Sequence, residues 1–136
     1  MTRERVVLDT NVFISGLFSV TSIPARAVER AIAGGQLLAS TATLDELVHT
    51  LMSPKFDAYI SQASRDALLL RLAPLVDIVE IVQTVHASRD PTDDRFLDVA
   101  INGHATVIVT GDRDLLSLDP FRGVAIVTPA QFLARE

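Results

Sequence analysis

The chain has 136 residues, a net charge of −5 from 17 acidic and 12 basic residues, an apolar fraction of 49% and no cysteine. That length fits one ordinary domain that buries a core unaided, the apolar fraction excludes a disordered chain, and no apolar run approaches the roughly 18 residues of a membrane span. Without cysteine there is no disulfide, thiolate zinc site or cysteine nucleophile, so any metal must be held by oxygen or nitrogen.

In chain order, Met1-Thr2-Arg3-Glu4-Arg5 lacks the long apolar stretch of a signal peptide, which makes the cytoplasm the expected compartment. Arg5–Leu8 reads as a short buried strand, and Asn11–Phe18 as a helix directly after it. Pro24 opens a second helix through about Ala33, with Ala27, Val28, Ala31 and Ile32 on one face, and Gly34-Gly35 ends it. Leu37–Ser40 is a strand. Leu44, Leu47, Val48 and Leu51 form the apolar stripe of a third helix, stopped by Pro54.

Ser61–Leu72 is again helical, with Leu68, Leu69 and Leu72 apolar and Arg65, Asp66 and Arg71 polar. Asp77–Val82 alternates as an edge strand would. Asp93–Gly103 is expected as a helix, Ala105–Thr110 and Val124–Val127 as strands, and Pro129–Ala134 as a terminal helix. Alternating strands and helices imply a parallel sheet covered on both faces.

Charge is uneven along this plan, since seven acids lie between Asp90 and Asp119. An acidic balance ordinarily weighs against nucleic acid, whose phosphates are neutralised by Lys and Arg, but a divalent cation held on carboxylates inverts the sign locally. Eleven of the twelve bases are Arg, which suits bidentate contact with phosphate and equally reflects a GC-rich coding sequence.

The acids recur where open α/β sheets carry their chemistry, just beyond the carboxyl ends of parallel strands. Asp9 follows Val6-Val7-Leu8, as either the N-cap of the next helix or a ligand, and one residue can be both. Asp93 shares the inward face of its helix with Phe96, Leu97 and Ala100, where an unpaired carboxylate is costly and needs a cation, hydrogen bonds or a raised pKa. The competing reading there is local, with Asp90 as N-cap, Pro91 at the first position and Asp93 answering the helix dipole. Asp94 and Asp98 fall roughly 100° and 140° around from Asp93 and are expected at the rim or in solvent.

Glu46 opposes the stripe of the third helix, and Thr43-x-x-Glu46 matches a capping box, so the residues alone favour a cap. Asp112 and Asp114 lie in Thr110-Gly111-Asp112-Arg113-Asp114, which read in isolation is an Asp-rich turn. Convergence of Asp9, Asp93 and Asp112 on one sheet end is what independent caps would not require.

Other chemistries lack their residues: there is no Walker loop, G-x-S-x-G elbow or H-E-x-x-H helix. His49, His86 and His104 are scattered, Tyr59 is the only tyrosine, and Phe13, Phe96 and Phe132 fit apolar faces.

With Val7-Leu8-Asp9-Thr10-Asn11-Val12, Asp90-Pro91-Thr92-Asp93-Asp94-Arg95-Phe96-Leu97-Asp98-Val99-Ala100 and Ile108-Val109-Thr110-Gly111-Asp112-Arg113-Asp114-Leu115-Leu116, the chain resembles the PIN-domain family. It looks most like the branch of VapC-like toxins from toxin–antitoxin pairs. The resemblance spans nearly the whole chain, including Leu44-Asp45-Glu46-Leu47 and Thr128-Pro129-Ala130-Gln131-Phe132-Leu133. It implies a single PIN-like domain over residues 1–136, folded as a three-layer α/β/α sandwich around a mostly parallel sheet.

It also implies a ribonuclease dependent on Mg²⁺ or Mn²⁺, in which Asp9, Glu46, Asp93 and Asp112 form the catalytic, metal-binding quartet. Asn11, Asp94, Thr110 and Asp114 would support them, Asp94 as the alternative to Asp93 for the third place. RNA as substrate, an antitoxin laid over the acidic groove and a homodimer are implied by the same resemblance.

On this reading one or two Mg²⁺ ions assist phosphodiester hydrolysis, and two would sit about 3.5–4 Å apart. Without a cation the clustered carboxylates should repel, raising pKa values and lowering stability. A degenerate PIN module that binds protein or RNA without cutting is the alternative, and Mg²⁺-dependent cleavage separates the two. A receiver-like domain also gathers acids at strand ends, but Lys55 is the only lysine and follows no late strand.

Overall fold

The computed structural model describes residues 3–135. Five strands, β1 (Glu4–Leu8), β2 (Gly35–Ala39), β3 (Val76–Ile78), β4 (Val107–Val109) and β5 (Ala125–Val127), form one parallel sheet in the order β3-β2-β1-β4-β5. Between and after them come the helices α1 (Thr10–Phe18), α2 (Ile23–Gly34), α3 (Thr41–Leu51), α4 (Gln62–Leu72), α5 (Asp94–Asn102), α6 (Arg113–Leu116) and α7 (Pro129–Ala134). The fold is an α/β sandwich with a parallel centre, as the alternation of elements implied.

Strand side chains alternate between faces, and this period divides the core in two. Val6, Leu8, Leu37, Val107 and Val109 point to a layer that takes Val12 and Ile14 from α1, Ala27, Val28 and Ala31 from α2, Leu47 and Leu51 from α3, Leu68 and Leu72 from α4, and Phe132 from α7. Val7, Leu38, Ile108 and Ile126 point the other way, onto Phe96, Leu97, Val99 and Ala100 of α5 and Leu115 of α6. Each such fully buried Leu or Val contributes about 1.5–3 kcal/mol. Glycine permits a close contact between α1 and α2: a Cβ at Gly16 in α1 would lie 3.1 Å from Ala25 Cα in α2.

Helix starts follow local chemistry. Ser22 caps α2, Ser61 caps α4 and Thr128 caps α7, each through a side-chain oxygen accepting from a backbone N–H. For α3 the capping box is Ser40 with Thr43, not Thr43 with Glu46: Thr43 N donates to Ser40 Oγ at 3.2 Å, and Ser40 N to Thr43 Oγ1 at 2.9 Å. Helix α3 begins early enough for Ser40 to cap it, which leaves Glu46 free of that duty.

Three further local expectations change. The strand expected over Asp77–Val82 is instead Val76–Ile78; after Val79 N bonds Ala39 O at 2.7 Å, the chain leaves the sheet edge and runs along α5 as an irregular strap. Arg65, expected on a polar face, is 2% exposed, because its guanidinium reaches Ile60 O at 2.9 Å and Asp57 Oδ1 at 3.0 Å. Asp90 does not cap α5; its Oδ1 closes a turn by accepting from Thr92 N at 3.0 Å and Thr92 Oγ1 at 2.7 Å. No helix among the described residues is long and apolar enough to cross a membrane.

Candidate active site

Parallel strands bring all their carboxyl ends to one edge, and the chain reverses its direction of winding between neighbouring β1 and β4, which opens a crevice there. Asp9 follows β1, and Thr110-Gly111-Asp112 follows β4. Asp9 N donates to Val109 O at 3.0 Å, tying the two strand ends together.

A run of side-chain bonds then links the acids. Asp9 caps α1 through a long 3.5 Å bond from Asn11 N to Oδ1, while Oδ2 accepts from Thr110 Oγ1 at 2.7 Å. Thr110, fully buried, accepts in turn from Asp112 N at 3.0 Å. Asp112 caps α6, its Oδ1 accepting from Asp114 N at 2.7 Å and Leu115 N at 3.3 Å. The turn foreseen at Asp112 is therefore the start of a short helix, and the capping falls on Oδ1 alone.

Glu46 enters from α3, and Thr10 Oγ1 donates to its Oε2 at 2.6 Å. Thr10 was not singled out in the sequence, although its place between Asp9 and α1 was visible. Asp93 stands at the N-cap position of α5, yet its carboxylate makes no cap bond and is almost wholly buried. Carboxylate oxygens of Asp93, Asp112 and Asp114 all lie within 4.8 Å of one another. The rim placement is incorrect for Asp94, whereas Asp98 is half-buried, as a rim residue would be. Asp94 is buried and accepts from Ala87 N at 3.1 Å and Ser88 N at 2.8 Å, while Asp98 accepts from Val85 N at 2.6 Å. Asn11 is exposed, and its contribution to Asp9 comes through the backbone.

Burial first, and the charges of neighbouring acids second, raise the pKa values of Asp93 and Asp9. Burial, reinforced by the charges of Asp112, Asp90 and Asp9, pushes the Asp93 carboxyl up to about 7. Burial also raises Asp9, with Glu46 and Asp112 adding to it against the donations of Thr110 and Asn11. A cluster that holds protons this tightly is one that a cation would stabilise. Its donors are carboxylate oxygens, with no thiolate or imidazole in the group, which suits a hard divalent ion such as Mg²⁺ or Mn²⁺.

The family model described as the PIN domain matches residues 5–114, a span that runs from β1 through Asp114. The chain belongs to the PIN domain family. A curated relative, the uncharacterized protein MJ1680 of Methanocaldococcus jannaschii, is 33% identical over 116 residues, covering 84% of this chain and 74% of the relative. Among solved structures, the VapBC2 complex of Rickettsia felis, bound to a DNA fragment from its promoter, contains a chain with TM-score 0.60 and 13% identity, covering 91% of this chain and 98% of that one. VapC20 of Mycobacterium tuberculosis, described as a toxin that cleaves the sarcin–ricin loop, aligns with TM-score 0.55 and 16% identity over 88% of this chain and 98% of its own. At such identities the two structures show a shared fold. This PIN domain thus carries its acids at the carboxyl edge of a sheet of VapC-like topology.

Proposed function

We propose that this PIN domain is a ribonuclease that hydrolyses RNA phosphodiester bonds with Mg²⁺ or Mn²⁺, and that it serves as the toxin of a toxin–antitoxin pair. The observation that carries the reading is the approach of Asp93, Asp112 and Asp114 to within 4.8 Å beside the buried Asp9. Asp9, Asp93 and Asp112 are assigned to the cation, with Asp114 joining them and Glu46 either binding it or orienting the attacking water. Bound there, the ion would supply Lewis acidity toward the phosphoryl oxygens and make water more acidic.

The chain's own groups do the rest. Thr110 and Thr10 hold Asp9 and Glu46 in single orientations, so little reorganisation is left for the reaction itself. Glu46, half-buried, offers its second oxygen to a water or its proton. Arg89, Arg95 and Arg113, which flank Asp93 and Asp112 in the chain, are exposed and make no ion pair among the described residues. They are available for substrate phosphates, which an acidic protein otherwise repels.

The toxin role draws on family membership and on the two structural neighbours, one solved as a VapBC complex and one described as an RNA-loop-cleaving toxin. An antitoxin covering the acidic edge, a homodimer and an organisation as one domain over residues 1–136 belong to the same reading. The deciding experiment is RNA cleavage by purified protein in Mg²⁺, Mn²⁺ or EDTA, beside Asp93→Asn. Cleavage that needs the cation and falls at least about a hundredfold in the variant is expected. RNA binding without cleavage in either metal would point to a non-cutting module.

A further inference from the structure

The strap between β3 and α5 has almost no regular backbone pairing, so its amides must find other partners. They find them on α5. Asp94, Asp98 and Asn102 follow one another at intervals of four residues and so line one face of the helix. Asn102 Oδ1 accepts from Val82 N at 3.0 Å and Gln83 N at 3.1 Å, and its Nδ2 donates to Gln83 O at 2.8 Å. Asp98 Oδ1 takes Val85 N at 2.6 Å, and Asp94 Oδ1 takes both Ala87 N and Ser88 N. Strap and helix thus run in opposite directions, joined by three side-chain rungs. At the middle rung, the Val85 side chain is buried in the α5 core layer.

The last rung stands next to the acidic cluster. Ser88 Oγ contacts Asp93 Oδ2 at 3.5 Å and Asp90 N at 3.4 Å, and Asp93 N closes the turn on Asp90 O at 3.0 Å. Whatever fixes Ala87 and Ser88 therefore fixes where the 88–93 turn begins, and α5 fixes where it ends. Asp94 does both, since it is the first residue of α5 and the acceptor for the two amides.

We propose that Asp94 is a positioning residue, whose carboxylate pins the strap at Ala87 and Ser88 and so sets the turn that delivers the Asp93 carboxyl to Asp112. This rests on the metal-nuclease reading, because it explains how one carboxylate of that site is placed. The adjacent acids then have separate tasks: Asp93 faces the cation, and Asp94 builds the turn that aims it. Outer residues that orient ligands typically change metal affinity 10–100-fold when removed.

The test compares Asp94→Ala with Asp94→Asn in the full chain, reading Mn²⁺ affinity by calorimetry and hydrogen exchange at the Ala87 and Ser88 amides. Asn keeps the Oδ1 acceptor and loses the charge. Expected are faster exchange and at least about tenfold weaker Mn²⁺ binding for Asp94→Ala, with Asp94→Asn within about threefold of wild type on both readouts. Equal loss of affinity in the two variants would make Asp94 a ligand and overturn the proposal. So would Asp94→Ala that exchanges faster yet binds Mn²⁺ as wild type. If Asp94→Ala does not fold, Ala87→Pro removes one donor while leaving α5 intact, and the same affinity loss is expected. Asp93→Asn that binds Mn²⁺ as tightly as wild type sinks the metal reading itself, and the positioning role with it.

Discussion

Thr110 Oγ1 donates to Asp9 Oδ2 at 2.7 Å and accepts from Asp112 N at 3.0 Å, so one buried hydroxyl sets the spacing between two acids that are distant in sequence. Valine has nearly the same shape as threonine and lacks both bonds. Thr110→Val leaves a buried carboxylate oxygen and an amide unpaired, at a cost of about 1–3 kcal/mol per group. Urea denaturation should show this loss, RNA cleavage should fall at least about tenfold, and Thr110→Ser should recover most of both. A Thr110→Val protein with wild-type stability and rate would show that this hydroxyl organises nothing.

Stability should depend on pH through Asp93. Its value in the fold is about 7, above the 3.8 ordinary for the group, so between these limits the folded protein binds more protons than the unfolded chain. The contribution is therefore fully present at acidic pH and is lost as pH rises through about 7. In EDTA, the Tm difference between Asp93→Asn and wild type should widen in favour of the variant from about pH 5 to about pH 8. Adding Mn²⁺ at the higher pH should raise the wild-type Tm and do little for the variant. A difference independent of pH would remove the electrostatic argument for a cation.

Glu46 depends on Thr10. The 2.6 Å bond from Thr10 Oγ1 selects one carboxylate orientation, and Thr10→Val frees it. Positioning of this kind acts on kcat more than on KM, so kcat is expected to drop roughly tenfold with KM within about twofold. Thr10→Ser should restore kcat. An unchanged kcat in Thr10→Val would assign Glu46 no ordered role.

Arg65 bears on stability alone. Its guanidinium is buried against Ile60 O and the exposed Asp57, and its Nε has no partner, so desolvation offsets much of the ion pair. Arg65→Met, which keeps the volume, should fall within about 1 kcal/mol of wild type, whereas Arg65→Ala should lose about 2–4 kcal/mol to the cavity. Paired denaturation curves check this, and equal losses in both variants would show that the charge itself stabilises.

The periods of the apolar residues were readable directly. Val6-Val7-Leu8 and Val107-Ile108-Val109 announce strands buried on both faces, and Leu44, Leu47 and Leu51 announce a helix. Asp93 was assigned inward because Phe96, Leu97 and Ala100 are inward, and its burial agrees. Other assignments failed where a residue's partner belongs to no periodic pattern or lies far along the chain. Asp94 looked like a rim residue because no periodicity announces the strap whose amides it accepts. Glu46 matched a capping box because Thr10, its partner 36 residues away, is invisible to a local pattern.

From the order of its residues alone, this protein's layers and the list of acids at strand ends could be written down, since burial of apolar faces and strand-to-helix alternation are local constraints on a parallel sheet. Which oxygens meet was decided only by tertiary structure. Pairing β1 with β4 brings Asp9 to Thr110, and laying the strap on α5 turns Asp93 toward Asp112. The physical reason is reach: carboxylate coupling strong enough to raise a pKa acts over a few ångströms in a partly buried site, and chain closure, not sequence proximity, supplies that distance.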